Sequence, residues 1–138
     1  MFINLRKATL LKLLKRFFWP AIIWSAIIFI LLSIPGSDLP NETQFLNIPH
    51  SDKWIHFGIF ALFVILWCRS IQLNTSHGKR QILKFVTVAL CGILFGYLME
   101  LVQKYLVPNR DYDLWDIVAD AVGCVAGLVY CLIKYRKK

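Results

Sequence analysis

A chain of 138 residues has room for one domain. Hydrophobic residues make up 58% of it, charged residues only 17%, and mean hydropathy is +0.59. Those values exclude intrinsic disorder and a soluble globule alike, because a core this small cannot hide so much apolar surface. The net charge of +8 does not argue for nucleic acid, since in an apolar chain the distribution of charge carries more information than its sum.

The N-terminal stretch places Leu10, Leu13, Leu14 and Phe17 on one helical face and Lys12, Lys15 and Arg16 on the other. This spacing predicts a short basic amphipathic helix suited to lying on anionic lipid. Four apolar runs follow, at 17–34, 52–73, 82–107 and 114–133. Each approaches the roughly 20 residues that cross about 30 Å of hydrocarbon. Alternating strands for a barrel are not present in the pattern, so the expected fold is all-α, a four-transmembrane-helix bundle forming a single membrane domain over 1–138. The first run is too long for a typical signal core and lacks an A-x-A site, so it reads as an uncleaved anchor.

Arg6, Lys7, Lys12, Lys15 and Arg16 precede the first run; Arg69, Lys79, Arg80 and Lys84 flank the second connection; Lys134, Arg136, Lys137 and Lys138 form the tail. Only Lys53, Lys104 and Arg110 fall on the other side. The positive-inside rule therefore puts both termini in the cytoplasm. Trp19 and Trp67 are expected at the inner interface, Trp54 and Trp115 at the outer one. The connection from Pro35 to Ser51, with Pro40 and Pro49, should be irregular, and it holds an Asn41-Glu42-Thr43 sequon of little weight. Cys68, Cys91, Cys124 and Cys131 all lie in apolar runs without paired spacing, so they read as small core residues.

Every acidic residue (Asp38, Glu42, Asp52, Glu100, Asp111, Asp113, Asp116 and Asp120) maps to the outer loops or the outer ends of spans. Asp52 and Asp113 have structural readings: an acid in a first turn complements the helix dipole, and Asp113-Leu114-Trp115-Asp116 resembles a capping box. Asp120 is a turn too deep to be a cap, and an ionisable group within a span is costly unless paired or wet. Glu100 lies near the negative end of its helix dipole and is expected to pair with Arg110 or Lys53. Helical spacing gathers Asp113, Asp116 and Asp120 on one face, Asp52 and His56 on another, and Glu100 and Gln103 on a third. Gly92 and Gly96, with Gly123 and Gly127, supply small-residue ladders for close backbone packing. A recessed polar cluster at the outer leaflet follows.

In chain order these residues form a recognisable series: Asp52-Lys53-Trp54-Ile55-His56-Phe57, then Glu100-Leu101-Val102-Gln103, then Pro108-Asn109-Arg110, then Asp116 through Asp120 to Gly123 and Gly127. The series resembles the VanZ-like family of small bacterial membrane proteins, whose pattern runs D-K-x-x-H-F, E-x-x-Q, P-x-R and D-x-x-x-N-x-x-G. Asp120 departs from it, standing where the family usually has Asn. The resemblance implies a multi-pass protein of the bacterial cytoplasmic (inner) membrane that lowers susceptibility to teicoplanin-type glycopeptides. It also implies that Lys53, His56, Glu100, Gln103, Arg110, Asp116 and Asp120 mark the functional site.

Three functions fit these residues. In the first, Lys53, Gln103, Arg110 and Asp120 bind substrate, and the protein binds or remodels an anionic envelope lipid or lipid-linked cell-wall precursor. In the second, a membrane-embedded hydrolase or transferase uses His56 for proton transfer and Glu100 and Asp116 as a pair for a divalent cation, Mg, Mn or Ca by their oxygen donors. The third is a small proton-coupled transporter, which suffers from having no ionisable residue at midplane. Membrane lipids are the expected partners, nucleic acid is not, and the Gly ladders leave a homo-oligomer open.

Overall fold

The computed structural model describes residues 18–35, 51–74, 79–110 and 112–136, the side chains of Asn74 and Arg136 excepted. The expected amphipathic N-terminal helix, the sequon, Asp38, Glu42 and Asp111 lie outside the described residues. Among the described residues the chain is all-helical. Its helices are α1 (Phe18–Leu32), α2 (Ser51–Asn74), α3 (Lys79–Leu106) and α4 (Leu114–Arg136).

Local chemistry sets the boundaries. Pro20 sits in the first turn of α1, where its missing N–H costs nothing. That helix closes in a tight turn, with Ser33 N–H donating to the Ile30 carbonyl at 3.1 Å, ahead of Pro35. Asp52 occupies the first turn of α2. α3 ends just before Pro108, and Asn109 reverses the chain with a φ of 56°, a left-handed value that Asn tolerates better than most residues. Asp113 caps α4: its Oδ1 accepts the Trp115 N–H at 2.8 Å.

Helices α2, α3 and α4, with 24, 28 and 23 residues, are long and apolar enough to cross a membrane. α1 is shorter. Residue 17 of the expected first span lies outside the described residues, and within them the helix ends at Leu32, a described length of roughly 22 Å at ~1.5 Å per residue. Outward faces carry Ile30, Leu83, Leu90, Leu94, Val122 and Ile133, all exposed, which suits lipid.

Inside, Phe60, Phe63 and Phe95 cluster with centroids 5.8–6.3 Å apart, over Ile28, Val64 and Cys124. Trp67 is half-buried between Phe18 and Phe63 and donates to Ser25 Oγ at 3.2 Å. Two sequence expectations need correction here. Cys68, Cys124 and Cys131 are buried, but Cys91 is exposed. The glycine ladders also serve different interfaces. A methyl at Gly92 would strike Cys124 Sγ and one at Gly96 would strike Asp120, so this ladder joins α3 to α4. A methyl at Gly123 would meet the Phe57 carbonyl and one at Gly127 the Ala61 carbonyl, so the other ladder joins α4 to α2. Close backbone approach is what drives helix association in lipid, where hydrophobicity does not.

A buried polar cluster at one end of the bundle

The inward stripe of α4 runs Asp116, Asp120, Gly123, Cys124, Gly127, Cys131. On α3 it runs from Phe85 through Gly96 and Met99 to Glu100 and Gln103. On α2 it begins at His56 and continues through Phe60 and Val64. Each helix therefore keeps its 3.6-residue buried face, and that face turns polar at the same end. The result is a layer of ionisable groups laid on an apolar core.

Lys53 anchors the outer part of this layer. Its ammonium lies 2.6 Å from Asp113 Oδ2, 2.9 Å from Asp116 Oδ1 and 3.3 Å from Asp52 Oδ2. Deeper in, His56 Nδ1 lies 2.9 Å from Asp120 Oδ1, while its Nε2 is 4.0 Å from Asp116 Oδ2. Glu100 is wholly buried. Its Oε2 accepts the Asp113 N–H at 3.3 Å, and its Oε1 has no hydrogen-bond partner.

The capping box at Asp113 is thus completed in an unexpected way. In the usual box the residue three positions on returns its side chain to the cap N–H. Here Asp116 gives its carboxylate to Lys53, and Glu100 from α3 takes the Asp113 N–H instead. The expected pairing of Glu100 with Lys53 or Arg110 is not found: Lys53 is consumed by three aspartates, and Glu100 is held by a backbone amide. Spacing along one chain could not show that a cap on α4 borrows its acceptor from α3.

Gln103, expected to bind substrate, donates its amide to the Leu32 carbonyl at 3.0 Å. It satisfies one of the free carbonyls at the C-terminal end of α1 and ties that helix to α3. Arg110 is half-buried on the α3–α4 connection, and its Nε is enclosed without a partner among the described residues. Asp120 is brought against His56 on one side and Gly96 on the other. Lys53, His56, Glu100, Asp116 and Asp120 therefore meet in one cluster, with Asp52 and Asp113 at its outer edge.

Two carboxylate groupings differ in character. Asp52, Asp113 and Asp116 have closely spaced oxygens, but the Lys53 ammonium already sits among them. His56, Glu100 and Asp116 each offer a ligand atom within 4.8 Å of the others, and all three are buried; of these, Asp116 also meets the Lys53 ammonium, through Oδ1.

The Lys53 hydrogen bond, with the Trp115 N–H behind it, holds the Asp113 carboxyl below its usual value of 3.8. A folded-state value below the unfolded one means that stability is complete above the unfolded pKa and is lost as pH falls through the folded one. Asp113→Asn is expected to flatten the acid limb of thermal stability measured in detergent between pH 5 and 3. An unchanged acid limb would assign that limb to other groups.

No protein-family model matches the chain, and no solved structure matches it. An uncharacterized protein of fission yeast (C11E3.10 of Schizosaccharomyces pombe) is 30% identical over 111 residues, which is 80% of this chain. The chain covers 64% of the length of that relative.

Proposed function

We propose that the chain is a VanZ-like integral membrane protein of a bacterial inner membrane, with four spans and both termini cytoplasmic. On this reading its polar end lies at the outer leaflet and binds the headgroup of an anionic envelope lipid or lipid-linked cell-wall precursor. Lowered susceptibility to teicoplanin-type glycopeptides is the phenotype that follows from altered presentation of such a lipid.

One observation carries the reading: a buried polar cluster coincides with an exposed apolar rim at the same helix ends. Trp54, Tyr105 and Trp115, together with Leu106 and Leu114, surround the cluster and are all exposed. Trp and Tyr settle at the headgroup level, with the ring in the apolar boundary and the polar atom in water. Arg110 supports an anionic ligand, because its side chain is only half-buried, forms no ion pair among the described residues, and a guanidinium can grip phosphate or carboxylate in bidentate fashion. Lys53 does not share that role, since its charge is spent on aspartates.

A second reading, a hydrolase or transferase acting on the lipid phosphate, is favoured by the His56–Asp120 pair. A carboxylate on Nδ1 fixes the imidazole and leaves Nε2 free for proton transfer.

Native mass spectrometry of the full chain in mild detergent tests the binding reading. Wild type should retain a phosphate-bearing lipid, and Arg110→Lys should retain several-fold less, because Lys keeps the charge but loses the fork. Glycopeptide susceptibility, scored beside membrane expression, should rise in step. Lipid retention equal to wild type in both Arg110→Lys and Arg110→Ala would remove the basis for the proposal. Orientation is checked separately by labelling Cys placed at Asn41 or Asn109, which should react from outside the cell.

A further inference from the structure

We infer that His56, Glu100 and Asp116 bind one divalent cation of intermediate softness, Mn2+ or Zn2+, with Asp120 as the positioning residue behind His56. The inference goes beyond lipid binding and needs no lipid.

The donor set is one imidazole nitrogen and two carboxylate oxygens, drawn from three helices and lying within 4.8 Å of one another. Around a bound divalent ion, ligand atoms stand ~3–3.5 Å apart when adjacent and roughly 4 Å apart when opposite. His56 Nε2 and Asp116 Oδ2 are 4.0 Å apart, too far to hydrogen-bond and the span that a central ion bridges. The imidazole suits Zn, the carboxylates suit Mn, and neither is the soft sulfur donor that selects copper(I).

Two independent observations point to a cation site rather than to an acidic patch. Glu100 is fully buried, and its Oε1 has no hydrogen-bond partner. A buried carboxylate oxygen left unpaired carries a desolvation cost that a metal ion removes. The orientation of His56 is the second. With Asp120 ionised, Nδ1 carries the proton and donates to Oδ1 at 2.9 Å, which leaves the Nε2 lone pair directed away from Asp120. A carboxylate behind a ligating histidine is the recurrent outer shell of metal centres, where it fixes tautomer and raises basicity.

Charge supports the same assignment. Asp52, Glu100, Asp113, Asp116 and Asp120 gather at this end, and among the described residues Lys53 is the one permanent cation in contact with any of them. It binds Asp116 through Oδ1, so Oδ2 remains available. A bound dication would offset the negative charge gathered at this end.

The test uses the full-length protein in detergent without added lipid, stripped with EDTA and titrated calorimetrically with MnCl2 and, separately, ZnCl2. One ion per chain should bind. Glu100→Gln should weaken binding at least 10-fold while keeping an acceptor for the Asp113 N–H, so its fold should survive even if His56→Gln fails to fold. Asp120→Ala should weaken binding by about 10–100-fold. Asp120→Asn should stay within a few-fold of wild type, because its carbonyl still accepts from Nδ1. Asp52→Asn should bind normally. Failure of both ions to bind at one per chain, unaltered binding in Glu100→Gln, or loss of binding in Asp52→Asn would each overturn the site. Retention of lipid by native mass spectrometry is read on metal-free protein, so the two proposals fail separately.

Discussion

Gly123→Ala is expected to lower the melting temperature of the bundle in detergent more than any other single-methyl addition to its glycines. The added methyl would lie against the backbone carbonyl of Phe57, which belongs to a helical ladder and cannot swing aside as a side chain does. Relief requires α2 and α4 to separate, and α2 makes its most extensive described contact with α4. Overpacking of this kind costs about 1–3 kcal/mol, and the unyielding partner places Gly123 near the top of that range. Gly58→Ala provides the control. Nothing lies within 4 Å of a methyl there, and alanine is favoured over glycine in a helix by about 1 kcal/mol. Thermal unfolding should therefore move in opposite directions for the two variants. A similar shift in both would mean that helix propensity, not close approach, sets the response.

Lys53→Met is expected to destabilise the protein by roughly 2–3 kcal/mol. Methionine fills a similar volume but removes the ammonium that serves Asp113, Asp116 and Asp52 together. Breaking a fully buried ion pair costs about 3–5 kcal/mol. The lower figure applies because the side chains of Lys53 and Asp113 are 24% and 39% exposed, so solvent screens part of the loss. Asp116, only 9% exposed, suffers most. A double-mutant cycle of Lys53→Met with Asp116→Asn, read by chemical or thermal unfolding, should return a coupling of about 1–2 kcal/mol. A coupling near zero would show that the pair is decorative. The Lys53→Met protein should also lose the Asp113 share of the acid limb, because the partner that lowers that carboxyl is gone.

The helices were largely legible in the sequence because their signals are local. Runs expected at 52–73, 82–107 and 114–133 became helices at Ser51–Asn74, Lys79–Leu106 and Leu114–Arg136. Asp113 as a cap and Pro108 as a stop depend only on neighbours a few residues away. The membership of the cluster was legible too, since periodicity puts His56, Glu100, Asp116 and Asp120 on inward faces. Partners were not. That Gly123 meets α2 while Gly96 meets α4 depends on how three helices are rotated, and a small-residue stripe looks the same whichever neighbour it faces. The destination of the Asp113 N–H, the role of Gln103 beneath Leu32 and the internal seat of Trp67 likewise required tertiary arrangement.

The contact between Gly96 and Asp120 ties the two positions together in heredity. A methyl at 96 would fall 2.5 Å from Asp120 Oδ2, so the carboxylate occupies space that exists only because residue 96 has no side chain. A descendant that acquired alanine at 96 would displace Asp120, and with it the imidazole that Asp120 holds, although residue 96 itself touches no ligand. Such a change survives only beside a shorter residue at 120 or a shift of α3. The two sites should therefore drift as a couple across relatives, with a small residue at one preserved wherever an acidic or amide side chain is kept at the other.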